Sequence, residues 1–181
     1  ELNGELSGAL APGGELTARG GFDVSPGQMT VDTAQGRQQL VHGGGRLDLV
    51  VGPAGLNATL VFKPMQKGQM TAELSLPQLH RLPLADTQPL AGRIQVELPD
   101  LSGLQGWVPE LEAVTGRIDG DLRLAGDLQQ PRLEGELALG GGAADLPLAG
   151  LQLRDVKLRL RDDPAAPGYM LLNGGFTSGK G

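Results

Sequence analysis

Charged and apolar residues alternate along residues 116–161, and this alternation restricts the fold more than any other feature of the chain. From Arg117 to Asp127 the odd positions are mostly polar, whereas the even positions hold Ile118, Leu122 and Leu124. A period of two places alternate side chains on opposite faces of a β-strand. The same pattern resumes after a turn at residues 129–131. The sequence therefore predicts a long sheet with one apolar face and one charged face.

The phase of this pattern shifts by one residue at Arg154 and Asp155. Leu151 and Leu153 occupy odd positions, whereas the apolar residues from Val156 onward occupy even ones. A shift of one residue would turn every later side chain to the opposite face of the sheet. A β-bulge adds one residue to a strand and restores the phase. We therefore predict a bulge at this point.

Similar alternating runs fill most of the chain before residue 116. With the later runs they predict about eleven strands, mostly antiparallel because short turns join antiparallel neighbours. Residues 34–45 are weakly patterned, and three prolines within residues 77–89 predict a long loop. Residues 2–6 resemble residues 118–122, which indicates stacked units of one elongated sheet. The predicted fold class is all-β.

One segment departs from the alternation. Leu101, Leu104, Val108 and Leu111 recur at spacings of three and four residues. This spacing predicts a short amphipathic helix over residues 102–112, although Pro109 disfavours its second half. Two interpretations are open at this stage. The helix could plug one end of the sheet, or it could lie on the surface and contact a partner or a membrane.

The composition argues against several classes of protein. The 181 residues include no cysteine, which excludes disulfides and thiolate metal sites. The net charge is −6 and no basic patch is present, so a nucleic-acid partner is not expected. No apolar run approaches the roughly 20 residues of a membrane-spanning helix. Leucine dominates the apolar residues and aromatic residues are few, which favours contact with something that has no fixed shape.

No group of residues supports catalysis. His42 and His80 have neither a second histidine nor a carboxylate at metal-ligand spacing. Asp162 and Asp163 stand beside prolines and predict a solvated turn. The glycine runs at 43–45 and 140–142 do not open a helix, so they are better explained as turns or bulges than as phosphate-binding loops. We expect no enzyme activity, no cofactor and no metal.

The sequence GRIDGDLRLAGD at residues 116–127, followed by PRLEGEL at residues 131–137, resembles the TamB family. Residues 104–111, 146–148 and 153–158 fit the same family. TamB is the inner-membrane-anchored component of the translocation and assembly module and is related to AsmA-like proteins.

The resemblance is good over residues 101–181 and looser over residues 1–100. We therefore expect a fragment from the C-terminal part of such a protein. It would form a single β-taco segment, meaning a sheet rolled into a U-shaped trough with an apolar interior. Residues 1–100 would be its first repeat-like part and residues 101–181 its second.

The resemblance also implies a location and partners. It places the chain in the periplasm of a Gram-negative bacterium, within a protein that bridges the two membranes. Members of the family are linked to phospholipid transport and, with the barrel protein TamA, to assembly of outer-membrane proteins. Both ends of the chain look cut from a longer protein. The membrane anchor and the contact with a TamA-like barrel are therefore expected outside it.

Three functions follow from these expectations. In the first, phospholipid acyl chains lie in the trough and move toward the outer membrane. In the second, an edge strand at residues 1–10 or 169–176 pairs with a strand of a nascent outer-membrane protein, in concert with an Omp85-type barrel. In the third, the apolar face is packed shut and binds nothing. For the first, the predicted lining comprises Leu2, Leu6, Leu47, Leu49, Leu60, Phe62, Leu74, Leu76, Ile94, Val96, Ile118, Leu122, Leu124, Leu133, Leu137, Leu139, Leu151, Leu153, Val156, Leu158 and Leu160.

Overall fold

A computed structural model of the chain describes residues 1–33, 36–79, 87–106, 108, 110–166 and 168–180. His80 and Pro109, which were named in the sequence analysis, lie outside the described residues, as does most of the loop predicted over residues 77–89. The strands are β1 (Leu2–Leu10), β2 (Leu16–Val24), β3 (Gly27–Thr33), β4 (Gly36–His42), β5 (Gly44–Gly52), β6 (Gly55–Lys63), β7 (Gln69–Leu76), β8 (Ala91–Leu98), β9 (Glu112–Gly126), β10 (Pro131–Leu146), β11 (Leu151–Asp162) and β12 (Met170–Lys180).

Ten of these strands form one antiparallel sheet in the order β1-β2-β5-β6-β7-β8-β9-β10-β11-β12. Each strand pairs with the next one in the chain, except that β3 and β4 form a separate hairpin between β2 and β5. Within the described strands β1 and β12 are the two edges and do not pair with each other, so the sheet stays open. The predicted all-β, mostly antiparallel fold is confirmed.

The register of the sheet keeps apolar residues opposite apolar residues. Ile118 on β9 pairs with Leu98 on β8 and with Leu139 on β10. The intervening Arg117 and Asp119 are exposed on the other face. Because cross-strand partners share a face, the alternation within one strand extends into an apolar face across the sheet.

The predicted bulge is confirmed. Asp155 has φ of 51°, and the pairing of β11 with β12 shifts between Arg154 and Lys157. The neighbouring strand β10 shifts register on both sides of Gly142, and Gly141 in this run has φ of 61°. Glycine suits this left-handed conformation because it has no Cβ. Bulges bend and twist a strand, so these irregularities on adjacent strands curve the sheet into a trough.

The hairpin of β3 and β4 differs from the sequence analysis, which left residues 34–45 without a strand. β4 pairs with β3 along its length, from Gly36 opposite Thr33 to His42 opposite Gly27. The sequence of β4, GRQQLVH, does not alternate strictly. A strand that lies outside the ten-stranded sheet does not have to place an apolar residue on the apolar face of that sheet at every second position. Its sequence therefore carries no period-two signal.

The predicted helix over residues 102–112 is shorter than expected. It is a 3-10 turn limited to Ser102–Gly106, and β9 already begins at Glu112. Glycines at both 103 and 106 disfavour a longer helix because they cost conformational entropy. Leu101, which precedes the turn, is 2% exposed and packs with Met65 and the ends of β8, β9 and β10. The apolar residues Leu101 and Leu104 thus pack against the sheet, while Ser102, Gly103 and Gln105 of the turn are exposed.

Replacing Gly135 with alanine should destabilise the fold. Gly135 has φ of 117°, and a Cβ there would collide with the carbonyl oxygen of Asp121 on β9. Strain of this kind costs about 1–3 kcal/mol. We expect urea denaturation to show a loss of that size in the free energy of unfolding. The control is Gly175→Ala on β12, where a Cβ would meet open space. A loss as large in the control would contradict the steric explanation.

Candidate functional site

The apolar face of the ten-stranded sheet, here called the trough, is the candidate functional site. One unbroken row of cross-strand partners runs along it with a residue from every strand. The row contains only apolar residues and glycines: Leu2, Val24, Gly45, Phe62, Met70, Val96, Gly120, Leu137, Leu160 and Leu172. Ten strands about 4.8 Å apart give this row a length of about 43 Å.

All of the predicted lining residues lie on the trough face. Their role as ligand contacts stays a prediction. The row above contains Leu2, Phe62, Val96, Leu137 and Leu160. The adjacent row contains Leu47, Leu60, Ile94 and Leu122, the row after that contains Leu6, Leu49, Leu74, Leu124 and Leu133, and beyond this third row Leu76 pairs with Leu56. On the opposite side of the first row lie Ile118, Leu139 and Leu158, and after the bulges of β10 and β11 come Leu151, Leu153 and Val156.

The sequence analysis missed further residues of the same face. Phe22 pairs with Leu47, and Val51 pairs with Leu56. The alternation within their strands could have found both. The glycines of this face were missed for another reason, because glycine was interpreted in the sequence as a sign of turns or bulges. A Cβ on Gly20 would stand 2.8 Å from Cδ1 of Leu6, and one on Gly120 would stand 2.5 Å from Cδ1 of Leu137. These glycines give room to the leucine on the next strand.

The exposure of the trough varies along its length. Val96 and Leu122 near the middle are each 8% exposed, whereas Leu2 and Leu172 on the edge strands are 71% and 67% exposed. Leu60 on β6, at 39%, lies between these extremes. Within the described residues no second sheet covers this face. The plug, formed by Met65, Leu101 and Leu104, belongs to one hydrophobic cluster with residues of the middle of the trough, among them Val96 and Leu137. An exposed apolar surface of this extent indicates a binding surface.

The opposite face carries ion pairs. Arg46 on β5 binds Asp23 at 2.8 Å and Asp48 at 2.6 Å. Arg93 on β8 pairs with Asp121 on the neighbouring strand β9. Hydrogen bonds from these arginines lower the pKa of Asp48 and that of Asp121. Exposed pairs of this kind contribute little to stability.

The candidate ligand residues outside the trough have local structural roles. His42 accepts a hydrogen bond at Nδ1 from the backbone N–H of Gly44, at 3.2 Å. Asp163 accepts one from the N–H of Ala165 at 2.8 Å, as expected for a turn. Across the described ranges there is no cluster of three or more His, Cys, Asp or Glu residues that could hold a metal ion. The described helical segments are also too short to cross a bilayer.

The comparisons with known proteins give one family. The family model for the TamB N-terminal domain matches residues 1–139. No curated protein and no solved structure matches the chain. The family resemblance is confirmed, but the expected position in the C-terminal part is wrong. Similar strands recur along the chain, so a short motif such as residues 116–127 identifies the repeating pattern and does not fix its position in a longer protein.

The contribution of Asp48, Asp100 and Asp121 to stability should be lost only in acid. Hydrogen bonds from Ser102, with help from Lys67, lower the pKa of Asp100 to about 2, and the pKa values of Asp48 and Asp121 are also lowered. A lowered pKa in the folded state stabilises it above the unfolded value of about 3.9, and this stabilisation is lost as the pH falls through the folded value. We expect denaturant titrations to show these groups contributing equally at pH 7 and pH 5, with a decline between about pH 4 and pH 2.

The control for this decline is Asp100→Asn, which should reduce it, because asparagine does not titrate. High salt should reduce it as well, since these carboxylates are exposed. A decline centred at pH 5 or above would show that other groups dominate.

Proposed function

The chain belongs to the TamB family, and on that basis we propose that its trough shields phospholipid acyl chains on their way to the outer membrane. The observation that carries this proposal is the row of apolar residues and glycines that crosses all ten strands without a polar residue. The chain would act in the periplasm, as one segment of a bridge between the two membranes. Its membrane anchor and a TamA-like barrel would lie in other parts of the assembly.

The magnitude of acyl-chain burial supports this role. Removing one CH₂ group from water contributes about 0.8 kcal/mol, so a chain of sixteen carbons contributes on the order of 12 kcal/mol. The apolar thickness of one bilayer leaflet is about 15 Å, which is less than the about 43 Å length of the trough. Acyl chains therefore fit along it, and their headgroups can remain in water at its open side.

The even composition of the trough favours movement over tight capture. Leucines recur on strand after strand, so an acyl chain meets chemically similar side chains along the trough. A ligand that gains the same free energy at each position can slide. The role we propose is passive and requires no catalytic residue and no cofactor.

A charge placed in the trough should block lipid uptake. Leu60→Arg puts a guanidinium on the trough face of β6, and because Leu60 is already partly exposed the fold should tolerate it. We expect native mass spectrometry of the chain, after incubation with phospholipid vesicles, to show a loss of at least about tenfold in bound lipid, since a charge in an apolar site is costly.

The matched control is Thr59→Arg, one residue earlier and on the polar face, opposite Asp48 and Glu73. It adds the same charge and should leave lipid uptake unchanged. Equal lipid uptake by the wild type, Leu60→Arg and Thr59→Arg would contradict the proposal that the trough holds acyl chains.

A second candidate function rests on the edges of the sheet. β1 and β12 are nine and eleven residues long, contain no proline and carry one charged residue each, whereas β11 carries six. Soluble proteins usually protect edge strands with charges or prolines. Unprotected edges favour pairing with an added strand. In this alternative, an edge holds a strand of an outer-membrane protein during its assembly.

Charging the edge would separate the two functions. The double variant Asn3→Lys/Ser7→Glu places each new charge on β1 opposite an opposite charge on β2, Asp23 and Arg19 respectively. The sheet should therefore persist while the edge becomes charged. We expect fluorescence anisotropy to show weaker binding of an extended peptide from an outer-membrane barrel, with lipid uptake unchanged. Unaltered peptide binding would exclude pairing at this edge.

A further inference from the structure

A polar cavity opens at the side of the trough that carries the plug. It has a volume of about 460 Å³ and lies between the β3–β4 hairpin, the turn after β6 and the 3-10 turn. We call it the rim cavity. Its lining includes Gln39, Met65, Lys67, Asp100, Ser102 and Gln105. These residues come from three separate parts of the chain, and only the fold brings them together.

The rim cavity contains one cation and one anion that face each other. The ammonium group of Lys67 lies 3.2 Å from Oδ2 of Asp100. Oδ1 of the same carboxylate accepts a hydrogen bond from the backbone N–H of Ser102 at 3.0 Å. This bond holds the carboxylate in place and, with the other contacts of Ser102, keeps the pKa of Asp100 far below neutral. Lys67 is more exposed, at 73% of its side chain, and can move to another partner.

The inner wall of the cavity is apolar and is shared with the trough. Met65 lines the cavity, is 4% exposed, and belongs to the same cluster as Leu101, Val96 and Leu98. Its thioether packs against Gly103, where a Cβ would stand 2.9 Å from the sulfur. The side chain of Met65 thus separates the charged groups of the cavity from the apolar lining of the trough. A molecule with a charged end and a hydrocarbon end meets matching surfaces at both.

We propose that the rim cavity binds a zwitterionic phosphate-ester headgroup, with Asp100 facing its ammonium and Lys67 facing its phosphate. The inference rests on the proposed function, since it names the class of lipid that the trough would accept. A zwitterion replaces each partner of the ion pair with a group of the same charge, so neither residue loses a counter-charge. A purely anionic headgroup would compete for Lys67 and leave Asp100 without a cation.

The test is a competition between two lipids. The purified chain is incubated with vesicles of equal parts phosphatidylethanolamine and phosphatidylglycerol carrying the same acyl chains, and the bound lipids are identified by native mass spectrometry. We expect phosphatidylethanolamine to be enriched about two- to fivefold, the range that exposed ion pairs provide. Asp100→Asn should abolish the enrichment, because asparagine has no negative charge to face the ammonium, although it still accepts the hydrogen bond from Ser102.

The matched control is Glu136→Gln, which removes a partner of the exposed ion pair with Arg159 on the polar face, at 2.9 Å. It should keep the enrichment. If the wild type binds both lipids in the ratio of the vesicles, or if Asp100→Asn keeps the preference, the headgroup site is wrong while the lipid trough stands.

A wild type that binds no lipid would instead count against the trough. Whether the rim cavity binds the headgroup alone is then tested by titration with the water-soluble glycerophosphoethanolamine, followed by NMR at the amides of Lys67 and Ser102. Shifts that disappear in Asp100→Asn would identify a site for the free phosphate ester. Unshifted amides would overturn the site altogether.

Discussion

Antiparallel hydrogen bonding between strands of strict period two is the constraint on which the rest of the structure depends. It fixes which residue lies opposite which, and so joins the apolar positions of ten strands into one surface. A slip of one residue in any strand would place its charges in the trough. The left-handed backbone at Asp155 and the shifts around Gly142 absorb extra residues where the sequence would otherwise lose phase. The bulges therefore preserve the apolar face as well as curving it.

Glycine and leucine act together in this surface. Where a glycine stands beside a leucine on the next strand, the leucine side chain extends over it, as Leu137 does at Gly120 and Leu6 at Gly20. This filling of space within one layer lets the sheet keep its apolar face without a second sheet to pack against. It also explains why a chain with few aromatic residues forms a continuous apolar lining. The lining has little shape of its own, which suits a flexible hydrocarbon better than a rigid ligand.

The sequence predicts those parts of the fold that depend on local periodicity. The main strands, the bulge at Asp155 and the shared face of the lining leucines all follow from it. β4 could not be predicted, because a strand in a separate hairpin does not need an apolar residue at every second position. The apolar spacing over residues 102–112 predicted a helix, but the glycines of this segment limit it to a 3-10 turn of five residues. The rim cavity could not be predicted either, since Gln39, Lys67 and Asp100 meet only through tertiary structure.

The meander topology has a consequence for how the chain acquires its structure. Apart from the connection of β2 to β5 across the hairpin, every strand pairs with the one synthesised just before it. No pairing therefore has to wait for a strand from a distant part of the chain, which limits the entropy cost of loop closure. Strands can join the sheet one after another as the polypeptide is synthesised. During that process each new strand adds leucines to a surface that is not yet sheltered, so the growing sheet is most prone to aggregation at its leading strand.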